Sequence, residues 1–79
     1  MMTVLEVLNA ATSYLQKQGV ESPRLNAEHL LAHSLGMPRR MDLYLAFDRP
    51  LGEQDRAPLR DFVKRRSEGV PLQYLLGTV

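Results

Sequence analysis

The chain has 79 residues, of which 44% are hydrophobic and 24% charged, and its formal net charge is +1. This composition is typical of a folded globular domain and argues against a disordered chain. Cysteine is absent, which excludes disulfide bonds and thiolate metal sites. No apolar run approaches the roughly 20 residues of a membrane-spanning helix, and we expect a cytoplasmic protein.

Positive charge is concentrated in the second half of the chain. Residues 1–38 carry two basic and three acidic side chains, whereas residues 39–66 carry eight basic and five acidic ones. Any partner recognised by its charge should therefore contact the second half.

The first predicted helix covers residues 3–18. Its apolar residues recur at helical spacing and its polar residues lie opposite, which is the pattern of an amphipathic helix. Thr3 and Glu6 have the spacing of a capping box, and Gly19 is placed to end the helix in a left-handed conformation. The inner face is predicted to contain Val4, Leu5, Val7, Leu8, Ala11 and Leu15.

The second predicted helix begins at Ser22-Pro23, with the Ser22 hydroxyl as N-cap and Pro23 at the first helical position. Gly36 is expected to end it. Its predicted inner face consists of Ala27, Leu30, Leu31, Ser34 and Leu35.

The third predicted helix, residues 39–47, is apolar on nearly every side, which indicates a small helix buried between others. The fourth covers residues 52–66 and has Leu59, Phe62 and Val63 as its inner stripe. Pro58 lies within it and cannot donate a backbone hydrogen bond, so we expect a kink or a later start. A last short helix runs from Pro71 to Leu76, with Gly77 after it.

Five short helices with short connections predict an all-α fold, a compact bundle forming one domain over residues 1–79. His29 and His33 lie four residues apart, as two metal ligands on a helix can. A zinc site needs a third ligand, which the sequence does not indicate, so two solvent-facing histidines are the favoured interpretation and we predict no metal site.

Three basic residues on the fourth helix recur every fourth position: Arg56, Arg60 and Lys64, here called the basic ridge. Arg65 and Arg66 extend it. Such a surface can bind phosphates of nucleic acids. However, nearby acidic residues can pair with it, and no aromatic residue is interleaved for base stacking. A solvated face or a docking face for an acidic protein is therefore favoured over a nucleic-acid-binding module.

Catalytic patterns are absent from the sequence. It contains no glycine-rich phosphate loop and no nucleophile arrangement, and its carboxylates are scattered over polar faces. We predict no catalytic, cofactor-binding or metal-binding residue, and composition and spacing indicate only a small helical interaction domain.

Two blocks of sequence carry a resemblance to a known family. The first is Ser-Pro-Arg-Leu-Asn-Ala-Glu at 22–28 with Leu-Leu-Ala-His at 30–33, and the second is Arg65-Arg66 followed by Gly-Val-Pro-Leu-Gln-Tyr at 69–74 and Gly77. The chain resembles, along nearly its whole length, the N-terminal domain of the HemK/PrmC family of protein-(glutamine-N5) methyltransferases, which modify peptide-chain release factors.

This resemblance implies a parent enzyme that uses S-adenosylmethionine and methylates the glutamine of the release factor's Gly-Gly-Gln motif. The family's Asn-Pro-Pro-Tyr motif and glycine-rich cofactor loop are not in these residues, so the chain alone is expected to be inactive and cofactor-free. It also implies that the chain ends at the start of a strand connector, near Thr78-Val79, that leads to a Rossmann-like catalytic domain.

The implied partners are a peptide-chain release factor and the catalytic domain, and we expect the chain itself to be monomeric and not to bind a membrane. The residues predicted to contact a partner are Arg56, Arg60, Lys64, Arg65 and Arg66. Those predicted to contact the catalytic domain are Pro71, Tyr74, Leu75 and Gly77. Tyr74 and Leu75 could equally be core residues. Arg24 and Glu28 belong to a family block, but their spacing favours an intramolecular ion pair.

Overall fold

A computed structural model describes residues 2–77 of the chain. The first helix, α1, spans Val4–Lys17. The predicted capping box is confirmed: the Thr3 amide donates to the Glu6 carboxylate at 2.9 Å, and the Glu6 amide donates to the Thr3 hydroxyl at 3.3 Å. The first of these bonds also holds the pKa of Glu6 below its ordinary value. Gly19 has the predicted left-handed conformation, with φ of 79°.

The second helix, α2, spans Pro23–Ser34, and Pro23 lies at its start as predicted. The prediction of Ser22 as a side-chain cap is wrong. Ser22 adopts a left-handed backbone, with φ of 49°, and its side chain makes no capping bond. Instead, the Asn26 amide reaches back and donates to the carbonyl oxygens of Glu21 at 3.0 Å and Ser22 at 3.1 Å. A buried side chain from inside the helix therefore stabilises this entry turn.

The segment Arg40–Ala46 is a 3₁₀ helix. The prediction that it is buried between other helices is wrong, because only Leu43 is fully buried and Leu45 is 87% exposed. The residues that follow it are bonded to the start of α1: the Val4 amide donates to the Arg49 carbonyl oxygen at 2.9 Å and the Leu5 amide to that of Phe47 at 3.3 Å. The apolar composition of the segment thus did not ensure its burial. Its position depends on the hydrogen bonds that attach this part of the chain to α1 and α2.

A two-residue antiparallel pair, absent from the sequence predictions, precedes the next helix. Strand β1, Met2–Thr3, pairs with β2, Pro50–Leu51, with Met2 opposite Leu51. Leu51 is fully buried, so the pair ties the N-terminus of the chain to the entry of the following helix.

That helix, α3, spans Glu53–Ser67 and contains Pro58. The alternative of a later start is therefore wrong. The first turn forms ahead of Pro58 because the Gly52 amide donates to the Asp55 carboxylate at 3.1 Å. The alternative of a kink at Pro58 stays a prediction.

The last helix, α4, is short and spans Leu72–Leu75. It lies against α2 and α3, and Leu75 joins the core. The predicted start of a strand at Thr78-Val79 lies outside the described residues.

One hydrophobic core lies between α1, α2 and α3. Each large apolar side chain buried in it contributes about 1.5–3 kcal/mol of transfer free energy. The described residues thus form five helices and one two-residue strand pair, which confirms the all-α prediction. The largest fully buried apolar side chains of this core are Val4, Leu8, Leu15, Leu30, Leu31, Leu43 and Leu51.

Candidate functional site

The basic ridge lines one side of an apolar groove between α1 and α3, the α1–α3 groove. The groove has a volume of about 420 Å³ and its walls are mainly apolar. Because α3 lies beside α1, all three ridge cations border this groove, although Arg60 and Lys64 are also exposed to solvent. Its lining consists of Met2, Val7, Ala10, Ala11, Tyr14, Arg56, Leu59, Arg60, Val63 and Lys64.

Glu53 at the start of α3 neutralises part of the basic ridge. Its carboxylate pairs with Arg56 at 3.3 Å and also with Arg60. Lys64 has no carboxylate within ion-pair distance among residues 2–77. Three cations and one carboxylate leave this edge of the groove positive, and the charge is least compensated at the Lys64 end.

The guanidinium of Arg56 is held at the mouth of the groove. One terminal nitrogen lies 3.3 Å from the Met2 sulfur, and Nε is buried without an acceptor in the part of the chain that the structure describes. A buried donor without an acceptor is energetically costly.

The other two predicted contact residues on α3 point elsewhere. Arg65 pairs with Asp61 one turn earlier, at 3.1 Å, and its side chain is largely exposed. Arg66 Nε donates to the Asn26 side chain of α2 at 2.9 Å. The structure therefore brings three of the five predicted residues together, and Arg66 links two helices.

The residues predicted to contact a catalytic domain differ in their exposure to solvent. Leu75 is buried in the core, whereas Tyr74 is 65% exposed and Pro71 is exposed at the start of α4. Gly77 is exposed and left-handed, with φ of 76°. Of these four, only Leu75 lacks an accessible side chain or backbone surface.

Sequence reasoning missed a cluster around a buried carboxylate. Glu28, on α2, is only 2% exposed. It accepts hydrogen bonds from Arg24 at 3.1 Å, from Arg40 at 2.6 Å and from the Tyr44 hydroxyl. Arg24 also donates to Asn9 of α1 at 3.0 Å. The i,i+4 spacing pointed to the Arg24 pair, but no local signal indicated the two donors from the 3₁₀ helix.

These contacts determine the charge state of Glu28. Burial by itself raises the pKa of the Glu28 carboxyl, but hydrogen bonds from Tyr44, Arg40 and Arg24 together hold that pKa below its ordinary value. The bond to Glu28 in turn raises the pKa of Arg24. An ionised Glu28 thus connects α1, α2 and the 3₁₀ helix.

The histidines show no arrangement for metal binding. His33 is exposed, with its ring 5.5 Å from that of Phe62, and His29 is partly buried. Within residues 2–77, no group of three histidine, aspartate or glutamate side chains could hold a metal ion. None of the helices in that range has the length and apolarity needed to cross a membrane.

The fold and these surfaces define a small all-α domain with a positively charged, apolar groove. The sequence comparisons are more specific. The chain belongs to the PrmC N-terminal domain family, whose model matches residues 6–77.

The curated relatives agree with this assignment. The chain is 45% identical over 75 residues to the release factor glutamine methyltransferase of Rhodopirellula baltica, covering 95% of this chain and 25% of the relative. It is 45% identical over 76 residues to the enzyme of the same name from Geobacter sulfurreducens, covering 96% and 26%. With the Mycobacterium tuberculosis H37Rv protein of that name, identity is 39% over 79 residues, covering 99% and 25%.

The chain thus spans about a quarter of the length of these relatives. No solved structure matches it.

Proposed function

We propose that this chain is the N-terminal helical domain of a release factor glutamine methyltransferase and that it helps to recognise and orient the release factor. The observation that carries the proposal is the 45% identity to proteins of that name over nearly all of the chain. The resemblance of the two motif blocks at 22–33 and 65–77 supports the same assignment.

The basic ridge is the proposed recognition surface. Arg56, Arg60 and Lys64 present positive charge over more than two turns of one helix, next to apolar walls. Surfaces of this kind attract an acidic partner and fix its orientation more than they raise affinity. A domain that recognises and orients a large protein substrate needs both this attraction and this control of orientation.

Methyl transfer is proposed to take place in the rest of the enzyme, with S-adenosylmethionine as methyl donor. The 79 residues contain neither the Asn-Pro-Pro-Tyr motif nor a glycine-rich cofactor loop. We therefore expect the isolated chain to be inactive. Its contribution to catalysis would be to position the substrate, which affects the reaction through binding and geometry.

Charge reversal tests this role. In a methyltransferase carrying this domain, Arg56, Arg60 and Lys64 are changed together to glutamate, and a matched control reverses Lys17, Arg39 and Arg49. The control residues are exposed and lie outside the groove. Because three reversed charges repel an acidic partner in addition to removing the attraction, we expect the ridge variant to bind release factor at least ~10-fold more weakly, with KM raised and kcat at saturation little changed. Wild-type affinity and turnover in that variant would remove the ridge from substrate recognition.

A structural role is a second candidate, favoured by the exposure of a large aromatic side chain on α4. Tyr74 and the adjoining Pro71 could pack against a catalytic domain, since exposed apolar patches commonly mark interaction surfaces. Addition of this chain to the isolated catalytic part should then raise the melting temperature of that part, and Tyr74→Ser should reduce the increase. An unchanged melting temperature would count against the structural role.

A further inference from the structure

The α1–α3 groove is long enough to receive a third helix. One wall is formed by Val7, Ala10, Ala11 and Tyr14, a helical i, i+3, i+4, i+7 series on α1. These seven residue steps correspond to about 10 Å at 1.5 Å per residue. The opposite wall runs along α3 from Arg56 to Lys64, about 12 Å by the same rise. The two walls therefore offer a channel as long as two turns of a docked helix.

Small side chains keep this channel open. Ala10 is exposed on the α1 wall, where a larger side chain would project into the groove. Tyr14 is 42% exposed and borders the same wall. Leu59 and Val63 form the apolar floor on the α3 side. A volume of about 420 Å³ is enough for several apolar side chains from a partner, within the size range of protein pockets.

Charge is distributed along only one edge of the groove. The cations all come from α3, whereas the α1 wall contributes apolar residues and Tyr14. The complementary ligand is thus a helix with one apolar face and acidic residues along one side of that face. The Lys64 amine, which has no carboxylate within ion-pair distance among residues 2–77, is an exposed hydrogen-bond donor at this edge.

We propose that the α1–α3 groove binds an acidic amphipathic α-helix, inserting apolar side chains at i, i+3, i+4 and i+7 between α1 and α3 while its carboxylates face Arg56, Arg60 and Lys64. Docking of an amphipathic helix into an apolar groove is a recurring recognition mode. That the helix belongs to a release factor rests on the function proposed above, whereas the chemistry of the ligand rests on the groove.

The same features disfavour RNA as the occupant. Single-stranded nucleic acids need stacking platforms, and the groove offers one aromatic ring, Tyr14, among aliphatic walls.

The experiment uses this 79-residue chain labelled with ¹⁵N and three probes. These are a purified bacterial release factor, an acidic helical peptide of roughly 18 residues with leucines at i, i+3, i+4 and i+7, and a single-stranded RNA. The variants are Ala10→Trp, which fills the groove without altering charge, and Gln16→Trp, an exposed position on the same helix outside the groove. Amide shifts and dissociation constants are measured at low and high salt.

We expect the peptide and the release factor to shift amides of Val7, Ala10, Leu59 and Val63. Ala10→Trp should weaken the binding of the peptide and of the release factor at least ~10-fold, whereas Gln16→Trp should leave both dissociation constants unchanged. Equal binding by wild type and Ala10→Trp overturns the groove proposal and leaves release-factor recognition standing. Peptide binding without release-factor binding supports the groove and overturns the proposed recognition role. Binding of RNA alone, or of no probe, overturns both.

Discussion

Replacement of Glu28 by glutamine tests whether the buried carboxylate holds the domain together. The substitution keeps the size of the side chain but removes its charge and one acceptor oxygen. Glu28 receives three donors from two segments, Arg24 on its own helix and Arg40 and Tyr44 on the 3₁₀ helix. A glutamine amide presents two hydrogens in place of one acceptor oxygen, so at least one of these donors must lose its bond.

The expected loss in the free energy of unfolding depends on the burial of the carboxylate and on the partial exposure of its partners. Removing one partner of a fully buried ion pair costs about 3–5 kcal/mol. The side chains of Arg24 and Arg40 are 43% and 35% exposed, so water can solvate the cations that remain. We therefore expect a loss of about 2 kcal/mol, discounted from the fully buried case. For a domain of this size, that loss corresponds to a fall in Tm of about 8–16 °C.

The same substitution predicts a pH dependence with a defined sign. The folded-state pKa of Glu28 lies below the ordinary glutamate value of about 4.3 that the unfolded chain has. Its stabilising contribution is then fully present above that value and is lost as the pH falls through the lowered folded-state pKa. The stability difference between wild type and Glu28→Gln should be constant near neutral pH and shrink in acid.

Urea unfolding followed by circular dichroism measures both effects, with Glu21→Gln as the matched control. Glu21 is exposed just ahead of α2, so its substitution should change the free energy of unfolding by less than about 0.5 kcal/mol. The reasoning would be refuted if Glu28→Gln were as stable as wild type at neutral pH, or if the difference between them grew on acidification.

Three further experiments test the start of α1, the link between α2 and α3, and the core. Thr3→Ala removes the capping box and should cost about 1 kcal/mol in thermal unfolding, and a change below ~0.3 kcal/mol would mean that the bond contributes little. Asn26→Ala and Arg66→Ala should couple by at least ~0.5 kcal/mol in a double-mutant cycle in urea, whereas additive losses would show that their contact at 2.9 Å is energetically idle. Leu8→Ala deletes a fully buried side chain and should cost about 2–5 kcal/mol by urea unfolding, and a near-neutral value would contradict the position of the core.

The sequence predicted the starts and ends of helices best where the interactions that fix them are between neighbouring residues. The Thr3–Glu6 capping box and the left-handed glycines at 19, 36 and 77 depend on residues within a few positions of one another. Ser22 departs from this rule because the buried Asn26 side chain, which accepts a hydrogen bond from Arg66 of α3, donates to the carbonyl oxygens of the entry turn in place of a Ser22 cap.

The 3₁₀ segment shows what composition could not decide. Its run of apolar residues indicated burial, yet Leu45 is largely exposed. The segment lies where Arg40 and Tyr44 reach Glu28 on α2, contacts 12 and 16 residues apart in the chain. Hydrogen bonds between distant segments, rather than the period of the apolar residues, determine which side faces the core.

The sequence by itself determined the helical class of this domain, most of its helix boundaries and the line of cations on α3, because caps, glycine conformations and a four-residue spacing are properties of short stretches. Only the tertiary structure decided that Arg66 turns toward Asn26 and that the basic ridge borders an apolar groove. A groove needs two walls, and the α1 wall lies more than 40 residues earlier in the chain than the α3 wall. Their alignment depends on how three helices share one core, which no local pattern encodes.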